Sequence, residues 1–163
     1  MTVSQEQFKQ AMGSFPTGVT VTTAYSVAGE VAGMTASAFS SVSLDPVLVL
    51  MCPANDAECY QPLTEASYFS IHLLAGDQSA LAWQFAKSDM DKTAGLEISQ
   101  GPGGSPKIQG CLAYLECRHY ALYDGGDHGI LVGEVTHIEF SDEERDPLVY
   151  CKSALGPLPA IGT

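Results

Sequence analysis

Two long segments of alternating apolar and polar residues, 111–120 and 128–140, constrain the fold more than any other feature of this sequence. A two-residue period is typical of strands that bury one face. Between the segments lies Asp124-Gly125-Gly126-Asp127, a composition typical of tight turns. The sequence therefore predicts a long antiparallel hairpin.

A first helix is predicted near the start of the chain. Ser4 precedes Gln7 by three residues, which is the spacing of a capping box. Phe8, Met12 and Phe15 follow at helical spacing, and Pro16 would end the helix. We expect these apolar side chains to cover one end of a β-barrel.

Shorter patterns predict the remaining elements. Strands are predicted over residues 18–25, 31–38, 47–51 and 68–74 and around 149–150, and helices over 55–66 and 76–87. The sum is about six antiparallel strands with two or three short helices. No strand–helix–strand alternation, GxGxxG or Walker loop occurs, so a Rossmann domain is not expected. We expect residues 1–163 to form a single domain.

Charge and cysteine content exclude several functional classes. The formal net charge is −12, which disfavours nucleic-acid and anionic membrane partners. Neither a secretory signal nor an apolar run long enough to span a bilayer is visible, so a cytoplasmic location is expected. The five cysteines form no CxxC pair, and no histidine pair has ligand spacing, so neither disulfides nor a metal site are predicted.

The segment 33–43 is unusual because small and hydroxylated residues stand in a row where a strand should be bulky. It reads Gly33-Met34-Thr35-Ala36-Ser37-Ala38-Phe39-Ser40-Ser41-Val42-Ser43. Small side chains allow a flat ligand to approach the backbone, and hydroxyl groups add hydrogen-bond donors. The alternative is a Ser/Thr-rich surface strand.

Several stretches together resemble the flavin reductase-like, FMN-binding split-barrel family, which includes the reductases of two-component flavin-dependent monooxygenases. The matching stretches are residues 8–21, 33–39, 42–46, 77–78 with Leu81, 85–86, 126–128 and 133–135. The resemblance implies a mainly β fold, a six-stranded antiparallel Greek-key split β-barrel with two or three short helices. It also implies a homodimer.

The resemblance also implies which residues contact the cofactors. The flavin contacts are Thr35, Ala36, Ser37, Ala38 and Phe39, then Cys52 and Pro53, with Ala54, Asn55, Phe85, Ala86 and Lys92 toward the phosphate. His128 is implied as the nicotinamide contact and the catalytic residue.

Two of these assignments can also be weighed from the residues themselves. Only five lysines and two arginines are available to meet a phosphate, and Lys87 and Lys92 follow a predicted helix within a matching stretch. The alternative for Lys92 is a solvated surface charge. His128 could donate a hydrogen bond to a carboxamide or to a flavin anion. Its alternative is a structural histidine that fixes the hairpin.

The function implied is an NAD(P)H:flavin oxidoreductase that supplies reduced flavin to a monooxygenase partner. FMN and FAD, and NADH and NADPH, all stay open as cofactors. The chain departs from the family pattern at Cys52, Gly129 and Leu131 and has no aromatic residue after Tyr150. The alternatives are therefore a flavin-binding electron carrier, a reductase acting directly on an organic substrate, or a barrel that serves only as an interaction module.

Overall fold

The computed structural model describes residues 2–158, in which three helices and twelve strands are found. The helices are α1 (Gln5–Gly13), α2 (Tyr60–Glu65) and α3 (Ser79–Ala86). The strands are β1 (Thr17–Gly18), β2 (Thr20–Tyr25), β3 (Val31–Ala36), β4 (Phe39–Leu44), β5 (Val47–Met51), β6 (Tyr68–Leu73), β7 (Ile98–Gln100), β8 (Pro106–Ile108), β9 (Ala113–Asp124), β10 (Gly129–Phe140), β11 (Leu148–Cys151) and β12 (Ala154–Pro157).

Seven of the strands form one antiparallel sheet in the order β3-β2-β6-β9-β10-β5-β4. The predicted long hairpin is confirmed as β9–β10, with Gly129 opposite Asp124. The edge strands β3 and β4 are joined by Ser37 and Ala38 alone. Because three Cα–Cα steps span at most about 11 Å, the sheet must curl until its two edges meet at this point.

The mainly β split-barrel fold is confirmed, but the strand count is higher than the predicted six. The main sheet has seven strands, and two small sheets, β1-β11-β12 and β7-β8, add to it. Strand β4 is serine-rich and mostly exposed, so it lacks an apolar period. Strands β7, β8 and β12 have three or four residues each, too few to show one.

The core lies inside the curled sheet and continues under α3. The largest side chains with no exposed surface in the main cluster are Met51, Leu63, Phe69, Ile71 and Leu131. A second cluster, built around Val21, Leu74, Phe85 and Leu148, packs α3 and β11 against β2. Each such side chain contributes roughly 1.5–3 kcal/mol by leaving water, so burial in these clusters fixes the positions of α3 and β11.

Helix α1 begins as predicted but does not cover the barrel. The side chain of Ser4 accepts from the Gln7 amide at 3.1 Å, which completes the capping box. No residue of α1 is buried: Phe8 and Met12 are 60% and 52% exposed. Phe15, two residues after the helix, is 67% exposed. The expected covering role is therefore wrong within residues 2–158, and the apolar face of α1 points to solvent.

The other two helices agree with their predicted ranges to different degrees. Helix α3 is confirmed, with Leu81 and Phe85 buried on its inner side. The helix predicted over 55–66 is shorter, because neither Asn55 nor Asp56 caps it and α2 begins at Tyr60. Pro62 lies in its first turn, where a missing N–H costs nothing.

A buried carboxylate anchors the loop that joins β7 to β8. Glu116 on β9 accepts from the Gly103 amide at 2.6 Å, the Ser105 amide at 3.2 Å and the Ser105 hydroxyl at 2.6 Å. Ser105 also contacts the hydroxyl groups of Ser70 and Tyr114. Burial alone would raise the pKa of Glu116, but these hydrogen bonds lower it below its ordinary value.

His72 is a second buried polar residue, and its two ring nitrogens are both satisfied. Its Nδ1 lies 3.0 Å from the Val21 carbonyl, and its Nε2 accepts from the Ile108 amide at 3.0 Å. The proton therefore sits on Nδ1, and the ring is neutral. Burial lowers the pKa of His72 from 6.5 to about 4.

This depressed pKa makes stability depend on pH. Between pH 6.5 and about pH 4, the imidazole of His72 is protonated in the unfolded chain but stays neutral in the native protein. The free energy of unfolding should therefore fall as pH falls through this window, by on the order of 3 kcal/mol in total. Urea unfolding of the wild type and of His72→Gln at pH 7 and pH 4.5 isolates this contribution. We expect the difference between the two proteins to shrink at pH 4.5, and an unchanged difference would contradict the assignment.

Candidate functional site

The small-residue segment lies where the two edges of the main sheet meet. Residues 35–39, which we call the strip, run from the end of β3 through a bend into β4. Ala36 is buried, whereas Ser37 and Ala38 are exposed. The Thr35 hydroxyl donates to the Ala82 carbonyl on α3 at 2.5 Å. The strip is thus held by α3 on one side and offers small side chains to solvent on the other.

The segment after β5 joins the strip to the β9–β10 turn. The Cys52 amide donates to the Ala38 carbonyl at 3.2 Å, and Pro53 accepts from the Gly129 amide at 2.9 Å. Ala54 and His128 form a β-bridge. The structure therefore brings the predicted residues 52–55 alongside the strip. Burial raises the pKa of the Cys52 thiol, so the thiol is neutral near pH 7.

Asn55 ties this segment to the turn that precedes His128. Its amide donates to the Asp127 carbonyl at 3.0 Å, and its side chain donates to the Gly126 carbonyl at 2.9 Å. The backbone N–H of Asn55 is therefore paired, whereas its side-chain NH₂ group keeps one of its two N–H donors for a ligand. The local role of Asn55 is to hold the turn in place.

His128 lies beyond residues 52–55, half-buried at the start of β10. Its Nδ1 is 2.7 Å from Asp127 Oδ1, and this hydrogen bond lowers the pKa of Asp127. The pairing fixes the ring and leaves Nε2 for a ligand. His128 lines none of the three cavities described below.

Phe85, Ala86 and Lys92 lie on the opposite side of the strip, at the end of α3. Phe85 is almost fully buried, so its ring packs in the core, whereas Ala86 is exposed. The Lys92 ammonium donates to the Gln84 carbonyl at 3.0 Å and to the Lys87 carbonyl. A lysine has three N–H donors. Lys92 therefore has one donor left for an anion, on a side chain that the end of α3 already holds in place.

Three cavities adjoin the strip in sequence. The lysine cavity, about 360 Å³, includes Thr35, Ala86, Lys87 and Lys92. The aromatic cavity, about 230 Å³, includes Thr35, Ser37, Trp83, Tyr150 and Leu155. The apolar cavity, about 370 Å³, includes Phe15, Ser37, Phe39, Leu73 and Leu112. Thr35 lines the first two cavities and Ser37 lines the last two, so the three are neighbours along the strip. Two lysines and Glu58 line the first cavity, and the walls of the last are mostly apolar.

The sequence did not predict the walls of the aromatic cavity. Trp83 lies on α3 and is 51% exposed, while Tyr150 lies on β11. One signal was available for Trp83. It stands two residues from Leu81 and two from Phe85, so a helix that buries those two turns Trp83 outward. Tyr150 gives no such signal, because only the tertiary fold brings β11 to α3.

No group of three or more metal-binding side chains occurs within residues 2–158. No helix in that part of the chain is long and apolar enough to cross a membrane.

The sequence pattern of the flavin reductase like domain matches residues 12–159. The chain belongs to this family. The FMN reductase (NADH) SmoA of Agrobacterium fabrum is 41% identical over 158 residues, covering 94% of this chain and 86% of SmoA. The flavin-dependent monooxygenase reductase subunit HsaB of Rhodococcus jostii is 33% identical, covering 91% of this chain and 75% of HsaB.

A solved member of the flavin reductase-like family has the same fold. It is the NADH:FAD oxidoreductase of Streptomyces globisporus in complex with NAD and FAD fragments. The two chains are 36% identical with a TM-score of 0.88, and the match covers 98% of this chain and 97% of the other.

The residues around the strip fit a flavin. A ring of that size needs small side chains beneath it, which Ser37 and Ala38 provide, and Lys92 keeps a donor for a phosphate. Two departures from the family pattern have structural explanations. Leu131 is fully buried in the core. A Cβ on Gly129 would lie 3.0 Å from the Tyr60 hydroxyl, so Tyr60 fills that space.

Proposed function

We propose that this protein is an NAD(P)H-dependent flavin reductase that binds FMN or FAD along residues 35–39. The observation that carries the proposal is the strip of small side chains where the sheet edges meet, with a cation-lined cavity at one end and an aromatic cavity beside it. A flavin has the same polarity, with an aromatic ring at one end and a phosphate at the other.

The chain's own residues would bind, orient and shield the two cofactors. Bound nicotinamide and flavin supply the redox chemistry, the transfer of a hydride from one ring to the other. Ser37 and Ala38 would let the flavin ring lie against the backbone, and Trp83 and Tyr150 would exclude water beside it. His128, oriented by Asp127, would donate a hydrogen bond from Nε2 when that nitrogen is protonated.

Anaerobic mixing of the purified protein with flavin and NADH or NADPH tests this function. We expect the flavin to bind and its visible absorbance to bleach. Binding without bleaching would favour the alternative, a flavin protein that does not oxidise nicotinamide. One observation favours that alternative. The sequence has no aromatic residue after Tyr150, and the residue that lines the aromatic cavity from this last part of the chain is the aliphatic Leu155. A protein with no flavin affinity would contradict both.

The wider setting proposed follows from the relatives. HsaB is by name the reductase subunit of a flavin-dependent monooxygenase, and we propose that reduced flavin from this protein also serves a monooxygenase partner. We further propose that residues 1–163 act as one domain in the cytoplasm. The five cysteines are all free, as expected in a reducing compartment.

We also propose a homodimer in which the apolar face of α1 contacts the second copy. Phe8 and Met12 lie one helical turn apart on α1, Phe15 follows just after the helix, and each is more than half exposed. Large apolar side chains exposed close together are typical of an interface. The double variant Phe8→Ser and Phe15→Ser should therefore shift the protein toward monomer in analytical ultracentrifugation. Val27→Ser is the control, because Val27 is likewise an exposed apolar residue but lies in the β2–β3 turn. A wild-type monomer at micromolar concentration would contradict the proposal.

A further inference from the structure

Trp83 is a wall of the aromatic cavity whose side chain the core does not bury. Tyr150 and Leu155, two other large side chains of this cavity, pack in part against the second core cluster. Trp83 is 51% exposed. Packing against a flat ligand in the cavity would remove more of the indole from water and add an aromatic contact, and both effects stabilise a complex.

The position of Trp83 relative to the strip is fixed by a hydrogen bond and by burial. The Thr35 hydroxyl donates to the Ala82 carbonyl at 2.5 Å, and that carbonyl belongs to the peptide bond between Ala82 and Trp83. Leu81, Ala82 and Phe85 are buried on the inner side of α3, which fixes the rotation of the helix about its axis. The indole is therefore held beside Thr35 and Ser37, the two strip residues that line the same cavity.

An indole at this place favours one redox state of a flavin. The ring of an oxidised flavin is planar and electron-poor, whereas the ring of a reduced flavin is electron-rich and bent along its N5–N10 line. Indole is a flat, electron-rich ring, and aromatic pairs are most stable when their faces are offset and their charge distributions are complementary. Reduction of the flavin therefore removes both the flatness and the charge complementarity on which a contact with Trp83 depends.

From these observations we infer that Trp83 contacts the ring of oxidised flavin and binds reduced flavin less well, so that this side chain promotes release of the reduced product. The inference rests on the proposed function, since it takes the flavin ring to lie on the strip. A protein shifts the equilibrium between two forms of a ligand only by its difference in affinity for them. The contact with Trp83 supplies such a difference, which favours exchange of reduced for oxidised flavin.

Anaerobic equilibrium dialysis against FMN and FAD, each oxidised or reduced with dithionite, tests the inference. Trp83→Leu should weaken the binding of oxidised flavin about tenfold and change that of reduced flavin less than twofold. The midpoint potential of bound flavin should then rise by about 20–30 mV, because a tenfold change in the ratio of the two affinities equals about 30 mV for a two-electron couple. Trp83→Phe keeps an aromatic ring and should retain most of the preference for oxidised flavin.

Phe140→Leu is the matched control for Trp83→Leu. Phe140 is an exposed aromatic residue at the end of β10, and it lines none of the three cavities beside the strip. Its replacement should change the affinity for neither redox state. Urea unfolding checks that each variant folds like the wild type, as expected for the replacement of side chains that are more than half exposed.

Two results would overturn the inference and leave the proposed function standing. One is that Trp83→Leu weakens reduced flavin as much as oxidised flavin or more, which would mean that the indole only fills space. The other is an unchanged affinity for oxidised flavin. If neither FMN nor FAD binds the wild-type protein, the proposed function falls together with the inference.

Discussion

Replacement of Ser37 by tryptophan is expected to weaken flavin binding at least a hundredfold and leave the fold intact. Ser37 is exposed and lines both the aromatic and the apolar cavities. An indole at this position would fill much of the 230 Å³ aromatic cavity and lift the flavin ring off the backbone. We expect the Kd for flavin to rise at least a hundredfold, equivalent to about 2.7 kcal/mol. Isothermal titration measures the affinity, and urea unfolding checks the stability.

Ser41→Trp provides the control for this experiment. Ser41 is an exposed serine on β4, and it lines none of the three cavities. The same bulk added there should leave the flavin Kd within about twofold of the wild type. If Ser37→Trp binds flavin as well as Ser41→Trp does, the ring does not lie on the strip.

Replacement of Glu116 by glutamine should cause one of the largest losses of stability available to a single isosteric change. The carboxylate accepts three hydrogen bonds from Gly103 and Ser105, and the residue is 1% exposed. An amide offers one oxygen and turns an NH₂ group toward the remaining donors. Leaving buried donors unpaired costs about 1–3 kcal/mol each, so we expect a total loss of about 3 kcal/mol in urea unfolding.

Glu134→Gln on the neighbouring strand β10 is the matched control. Glu134 forms an ion pair with Arg118 at 2.6 Å, and the Arg118 side chain is more than half exposed. Exposed pairs contribute only about 0–1 kcal/mol, so this variant should lose less than about 1 kcal/mol. Equal losses in the two variants would mean that Glu116 does not anchor the β7–β8 loop.

The elements that the sequence predicted best are those whose own residues determine their structure. The β9–β10 hairpin has a two-residue period and a Gly-Gly turn, and helix α1 has a complete capping box. Strand β4 was not among the predicted strands, and it fits the alternative given for segment 33–43, a Ser/Thr-rich surface strand. Half of its residues are serine and most are exposed, so pairing with β5 rather than side-chain burial defines it. The exposed face of α1 was misjudged for a related reason, since an apolar period does not say which surface it contacts.

The candidate site was predicted in parts, for similar physical reasons. Thr35 and Ser37 stand out because small residues interrupt a strand. The hydrogen bonds of Lys92 to the Gln84 and Lys87 carbonyls and of Asn55 to the β9–β10 turn could not be predicted, because each depends on how a loop returns to the sheet. The same limit applies to Trp83 and Tyr150, which meet only when α3 and β11 pack together.

A crystal structure of the protein soaked with saturating FAD would show directly whether the flavin lies on the strip. We expect the tricyclic ring along Thr35 to Phe39, with a phosphate oxygen within hydrogen-bond distance of the Lys92 ammonium. Flavin bound elsewhere, or a strip that stays empty at saturation, would contradict it.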